Sequence, residues 1–172
     1  MELSPDVFRE RFLGFHPKLY RIAFALLGNA EEAEDKLQDL YLKLWTKRNE
    51  LSSIQQPEAY CVTLLKNSCM DHLRSPKAQH KDEVSEALFL QSTDQPEKRI
   101  EANDELNFVR QLINRLPVNQ QQVLRLRSID DCSMEEIEAL TGLTYSNIRT
   151  LLSRARKTIK EQFNKLYTYD DR

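Results

Sequence analysis

The sequence predicts an all-α protein built as two small helical domains joined by a flexible acidic linker, and three observations carry that prediction. Glycine and proline are scarce, 3 and 6 among 172 residues, too few breakers for the many turns of a β-sandwich. Apolar residues recur at three- and four-residue spacing rather than alternately. The periodicity fades over residues 75–105, where the chain turns polar and acidic, and then resumes.

The elements follow in order. Ser4-Pro5 reads as an N-cap followed by proline at the first helical position, opening a helix with Val7, Phe8 and Phe12. His16-Pro17 restarts a helix carrying Leu19, Ile22, Ala23, Leu26 and Leu27, and Gly28 suits its C-cap. Asn29 caps a third helix, with Glu32 at the capping-box position and acids in the first turn. Its apolar residues Ala33, Leu37, Leu40, Tyr41 and Leu44 form one stripe. Gln55-Gln56-Pro57 opens a fourth helix through Tyr60, Leu64, Leu65 and Leu73, completing a bundle over residues 1–74. The second domain, residues 106–172, begins with a helix over Leu106, Val109, Leu112, Ile113 and Leu116 that Pro117 stops. A short helix over Val123, Leu124 and Leu126 and a final helix pair follow.

Composition excludes several classes. No run approaches the ~18 apolar residues of a membrane span, and MELSPDVFRERF lacks the basic-then-apolar order of a signal peptide, so a cytoplasmic protein is expected. Cys61, Cys69 and Cys132 show no CxxC spacing, which argues against a disulfide framework or a complete zinc site. The net charge of −2 conceals an asymmetry. Residues 1–74 carry 10 basic and 11 acidic side chains, residues 75–105 carry 4 and 8, and residues 106–172 carry 11 and 8. Arg149, Arg154, Arg156, Lys157, Lys160 and Lys165 face only Glu161 in the last helical stretch, an electrostatic footprint suited to nucleic acid.

The final pair has the pattern of a helix-turn-helix. Ser133 and Glu136 form a capping box, Thr141-Gly142-Leu143 makes a tight turn, and Thr144 caps a helix with inward Ile148, Leu152, Ala155, Ile159 and Phe163. Tyr145, Ser146, Asn147, Arg149 and Thr150 lie in the first turns, where side chains meet base edges; Arg154, Arg156 and Lys157 lie near phosphates. Glu138 stands where the helix crossing usually takes a small residue, and the order Glu138-Ala139 suggests a small rotation of the first helix.

The segment LPVNQQQVLRLRSIDDCSMEEIEALTGLTYSNIRTLLSRARKTIKE (residues 116–161) resembles promoter-binding region 4 of bacterial sigma factors. GNAEEAEDKLQDLYLKLW (28–45) with YCVTLLKNSCMDHLR (60–74) is similar to their region 2, and both in this order resemble the extracytoplasmic-function group of the sigma-70 family. That resemblance implies a transcription initiation factor without an active site or cofactor of its own, which binds core RNA polymerase and promoter DNA. It implies that Asp35, Gln38, Asp39 and Leu42, with Trp45 at the edge, meet the β′ clamp helices, while the second domain reaches the β flap. It assigns −10 contacts to Asn49, Ser53, Tyr60, Lys66, Asn67, Asp71 and Arg74. Its −35 contacts are principally Arg149, Thr150 and Arg154, with Ser146, Asn147 and Ser153 near the groove. Leu151 departs from the basic residue frequent there. The linker resembles the segment that threads the polymerase cleft toward the RNA exit path, where its acids would mimic a nucleic-acid backbone. The likeness further implies an anti-sigma partner, often membrane-anchored.

Two other readings stay open at the level of sequence. A helix-turn-helix regulator that never joins the polymerase shares the last motif but needs no clamp-docking helix. Cys69 and His72, at i and i+3, are half of a metal site or a thiol–imidazole pair.

Overall fold

The computed structural model describes residues 3–76 and 102–168, and every regular element among them is helical. Most of the predicted linker, residues 77–101, lies outside the described residues. The helices fall into two units, Met1–Ser75 and Pro76–Arg172.

In the first unit, α1 (Pro5–Phe12) starts at Ser4, whose hydroxyl accepts from the Val7 amide at 3.4 Å. A single 3₁₀ turn, Leu13–Phe15, bends the chain into α2 (His16–Leu27), and Gly28 ends α2 at φ 70°, a left-handed conformation that an L side chain resists. Asn29 then caps α3 (Ala30–Thr46), accepting from the Glu32 amide at 3.0 Å, with Glu31 and Glu32 beside the positive end of the helix dipole. A second 3₁₀ turn, Leu51–Ser53, leads to α4 (Pro57–Arg74). α2 packs against both α3 and α4, so its buried face is broad: Leu19, Ile22, Ala23, Ala25 and Leu26 are all inside, while Pro17, Lys18 and Arg21 are exposed. His16 Nδ1 meets the Tyr41 hydroxyl at 3.2 Å with the rings stacked, which joins α2 to α3. Burial, then the neighbouring Cys61 and Glu34, pushes the Tyr41 phenol up to about 12.

Phe8, Phe12 and Trp45 form an aromatic chain from α1 to the end of α3, with centroids 5.1 Å apart at each step. Phe12 is fully buried, whereas Val7, expected to pack, is exposed on the opposite side of α1. Leu51 is also fully buried; it pins the α3–α4 loop to the bundle, and no helical periodicity announces such a residue.

The second unit consists of α5 (Ala102–Asn114), α6 (Val118–Ser128), α7 (Met134–Thr141) and α8 (Tyr145–Thr168). α5 starts at Ala102, inside the stretch expected as linker, and Asp104 and Glu105 occupy its first turn, where acids are favoured. Leu106 is 60% exposed, so burial begins later, at Leu112 of α5 and at Leu116 just past its end. α8 contacts α5, α6 and α7, and its stripe of Ile148, Leu152 and Ala155 is the centre of this core.

α6 departs most from its pattern. Gln122 and Arg125 are as buried as Val123, Leu124 and Leu126, because α6 packs against both α7 and α8 and its side chains meet the end of α5. Arg125 Nη2 donates to Asn114 Oδ1 at 2.7 Å, and burial lowers its pKa. Gln121 Nε2 donates to the Asn114 and Leu116 carbonyls at 3.0 and 2.6 Å, so α6 side chains close the end of α5.

Ser133 and Glu136 form the reciprocal capping box, at 3.1 and 2.7 Å, and Gly142 ends α7 at φ 73°. A Cβ on Gly142 would meet nothing within 4 Å, so only the left-handed backbone opposes a side chain there. Gly142→Ala is therefore expected to destabilise the second unit by ~1–2 kcal/mol, measurable as a lowered denaturation midpoint, while Gly142→Asn costs less.

Candidate functional site

Three exposed surfaces carry the residues singled out by the sequence. On α8, 3.6 residues per turn places Ser146, Thr150, Ser153, Arg154 and Lys157 roughly opposite the buried stripe. Asn147 lies on one flank and Tyr145, Arg149 and Arg156 on the other. All nine are exposed. The helix starts directly after the Gly142 turn, where Thr144 Oγ1 accepts from the Asn147 amide at 3.3 Å. Thr150 Oγ1 donates to the Ser146 carbonyl at 3.1 Å. Lys157 sits 3.9 Å from Glu161, the one acid of this face. Leu151 is half-buried, so its position does not point freely into solvent.

The first helix of the pair resolves the question of Glu138. Ile137 and Leu140 are buried, Glu138 is half-buried and Ala139 is exposed. No rotation brings Ala139 inward. Glu138 instead lies along the edge of the crossing, and its carbonyl accepts the Gly142 amide at 2.9 Å.

On α3, Asp35, Gln38, Asp39 and Leu42 face away from Ala33, Leu37, Leu40 and Leu44, and Leu42 is 66% exposed. Trp45 stands at the edge of this row, packed edge-on against Phe8 and covered by the Arg48 guanidinium 4.6 Å above its ring. A shallow polar groove between α3 and α4 is lined by Glu32, Asp35, Lys36, Gln38, Asp39 and His72.

On α4, helix geometry puts Tyr60, Asn67, Asp71 and Arg74 within a sector of about 60°, opposite buried Cys61, Leu65 and Cys69. Asn67, Asp71 and Arg74 are exposed, and Arg74 lies 3.8 Å from Asp71. Lys66 is half-buried and roughly 110° from that line. Asn49 and Ser53 are exposed on the preceding loop, which Arg11 of α1 grips at the Ser52 and Ile54 carbonyls. That contact pairs residues 41 and 43 positions apart, and nothing in the local pattern announces it.

The cysteine–histidine pairing is not a reactive site. Cys69 is fully buried and burial pushes its thiol up to about 12; burial, then Glu58, raises Cys61 to about 11. Both stay protonated at neutral pH, and His72 Nε2 lies 3.4 Å from Glu32 Oε2. Among the described residues no cluster of three or more His, Cys, Asp or Glu could hold a metal ion, and no helix is long and apolar enough to cross a membrane.

Comparison with known proteins divides along the same line. Residues 12–79 match the family Sigma-70 region 2, and residues 109–159 match Sigma-70, region 4. The chain is 23% identical over 170 residues to the ECF RNA polymerase sigma factor SigW of Bacillus subtilis, covering 94% of this chain and 91% of that protein. It is 27% identical over 155 residues to the ECF RNA polymerase sigma factor EcfG of Rhodopseudomonas palustris, covering 90% and 83%. The sigma factor RpoE of Bartonella quintana, solved with the anti-sigma factor NepR, shares the fold at a TM-score of 0.58 and 23% identity, over 91% of this chain and 96% of that one.

Proposed function

Because the chain belongs to the extracytoplasmic-function group of the sigma-70 family, initiation factors that direct RNA polymerase to promoters and are not themselves enzymes, we propose how its surfaces divide that work. The outer face of α8 reads the −35 element. Tyr145, Ser146, Asn147, Arg149 and Thr150 in the first turns meet base edges, with Ser153 near the groove, while Arg154, Arg156 and Lys157 further along lie on phosphates; Arg149, Thr150 and Arg154 are the principal contacts. The observation that carries this assignment is the sidedness of α8: a basic, wholly exposed face lies opposite the stripe on which the unit packs.

α3 docks on the β′ clamp helices through Asp35, Gln38, Asp39 and Leu42, with Trp45 at the rim. An apolar side chain 66% exposed between two carboxylates and an amide suits a partner helix that is basic around an apolar ridge. The loop from Asn49 and the α4 line of Tyr60, Asn67, Asp71 and Arg74 handle the −10 element, with Lys66 giving charge at its side. An extruded base costs a few kcal/mol, which a pocket and a stacking surface such as the Tyr60 ring offset. The second unit reaches the β flap, and an anti-sigma factor competes for these surfaces; RpoE of Bartonella quintana, solved with NepR, supports that regulation.

The double charge reversal Asp35→Arg with Asp39→Arg tests the docking surface. It is expected to weaken association with core polymerase by about tenfold or more while leaving thermal stability unchanged, because both carboxylates are exposed. Fluorescence anisotropy with labelled full-length chain measures the first and a denaturation midpoint the second. Undiminished association would sink the α3 assignment.

A further inference from the structure

Arg11 belongs to α1 and to none of the surfaces above, yet it is the side chain that holds the loop between α3 and α4. Its Nη1 donates to the Ser52 carbonyl at 3.3 Å and its Nη2 to the Ile54 carbonyl. These two oxygens bracket the exit of the 3₁₀ turn Leu51–Ser53, where the chain straightens toward α4. The rest of the loop is fastened from within. Leu51 is fully buried, the Ile54 amide donates to the Leu51 carbonyl at 3.2 Å, and Ser53 Oγ donates to the Glu50 carbonyl at 3.3 Å. Arg48 closes the other end, with Nη1 on the Trp45 carbonyl at 3.1 Å. Asn49, Ser53, Gln55 and Gln56 are left exposed on a loop whose backbone is held at both ends and at its centre.

We propose that Arg11 is a positioning residue for −10 recognition: its fork on the Ser52 and Ile54 carbonyls fixes the shape in which the loop meets the promoter, without touching DNA itself. The proposal rests on the assignment of that loop to the −10 element. A guanidinium suits the task because its planar N–H groups reach two acceptors in one fixed geometry, whereas a lysine ammonium is a point charge on a flexible stem. A loop ordered before it binds loses less conformational freedom on contact, and its side chains keep the spacing needed to tell one base from another.

The test uses the full-length chain with bacterial core polymerase. The probe is a promoter duplex selected by the wild-type chain from a randomised library, together with single base-pair variants of each element. Arg11→Ala is expected to lower discrimination at the −10 element by about tenfold or more, while core association and −35 discrimination stay at wild-type levels. Arg11→Lys keeps the charge and loses the fork, so it is expected to resemble Arg11→Ala. Wild-type discrimination in Arg11→Lys would overturn the proposal, because charge alone would then suffice. An equal loss of core association in Arg11→Ala would overturn it too, since the role would be general support of the fold. A parallel variant with Asn49→Ala and Ser53→Ala separates the two levels of inference. If that variant reads the −10 element normally, the loop assignment itself fails. If it is impaired and Arg11→Ala is silent, only the role of Arg11 fails.

Discussion

Replacing Arg149 with alanine is expected to weaken promoter binding by the polymerase complex by ~1–3 kcal/mol, roughly five- to 150-fold, and to relax preference at one base pair of the −35 element. Arg149 stands in the second turn of α8 and is exposed, so its removal opens no cavity. The whole cost should fall on DNA. A guanidinium at this depth presents two donors to the two acceptors of a guanine edge, and Arg149→Lys recovers only part of the loss. Arg156, two turns further along α8, should behave differently. Arg156→Ala is expected to weaken all sequences alike and to reduce the salt dependence of binding by about one phosphate contact. Binding isotherms on matched and substituted duplexes at several salt concentrations separate the two. Equal losses on every sequence for Arg149→Ala would contradict its role as a base reader.

Phe12→Ala should be the most damaging of the stability changes considered, at ~3–5 kcal/mol. Phe12 is fully buried, stands 5.1 Å from Phe8, and through Phe8 supports Trp45. Its loss leaves a cavity in the first unit and loosens α1, the helix that carries Arg11. Trp45 is the only tryptophan of the chain, so its fluorescence follows the unfolding of the first unit. The expected result is a markedly lowered midpoint by tryptophan emission. Duplex binding by the outer face of α8 should change much less, because Phe12 belongs to the first unit and α8 to the second. A wild-type midpoint would mean that α1 contributes little to the bundle.

Helices and their ends were legible because their signals are local. Ser4-Pro5, Gly28, Asn29, Ser133 with Glu136, and Gly142 each act within one turn of their own position, and the structure finds them as caps. The α3 and α8 stripes were legible for the same reason: a helix packed on one side writes its burial as a 3.6-residue period. α6 was not, because a helix covered on several sides buries Gln122 and Arg125 along with its leucines and loses the period. Leu106 and Val7 failed in the opposite direction, apolar residues that no described helix covers. The candidate surfaces were readable as exposed faces, and their composition pointed to their chemistry. The grip of Arg11 on the loop was invisible, since a contact between residues 41 or 43 positions apart exists only once the bundle has formed.

The division of α8 into an inner stripe and an outer face has a consequence for how such a molecule diversifies. Ile148, Leu152 and Ala155 carry the cohesion of the second unit, and none of the nine outward residues is needed for it. Surface substitutions of that kind usually alter folding by no more than ~0.5 kcal/mol, so the outer alphabet is free to drift. A duplicated copy could acquire a different target sequence through a few outward replacements, with no compensating repair inside. New regulons would then arise by rewriting one side of one helix on an inherited scaffold.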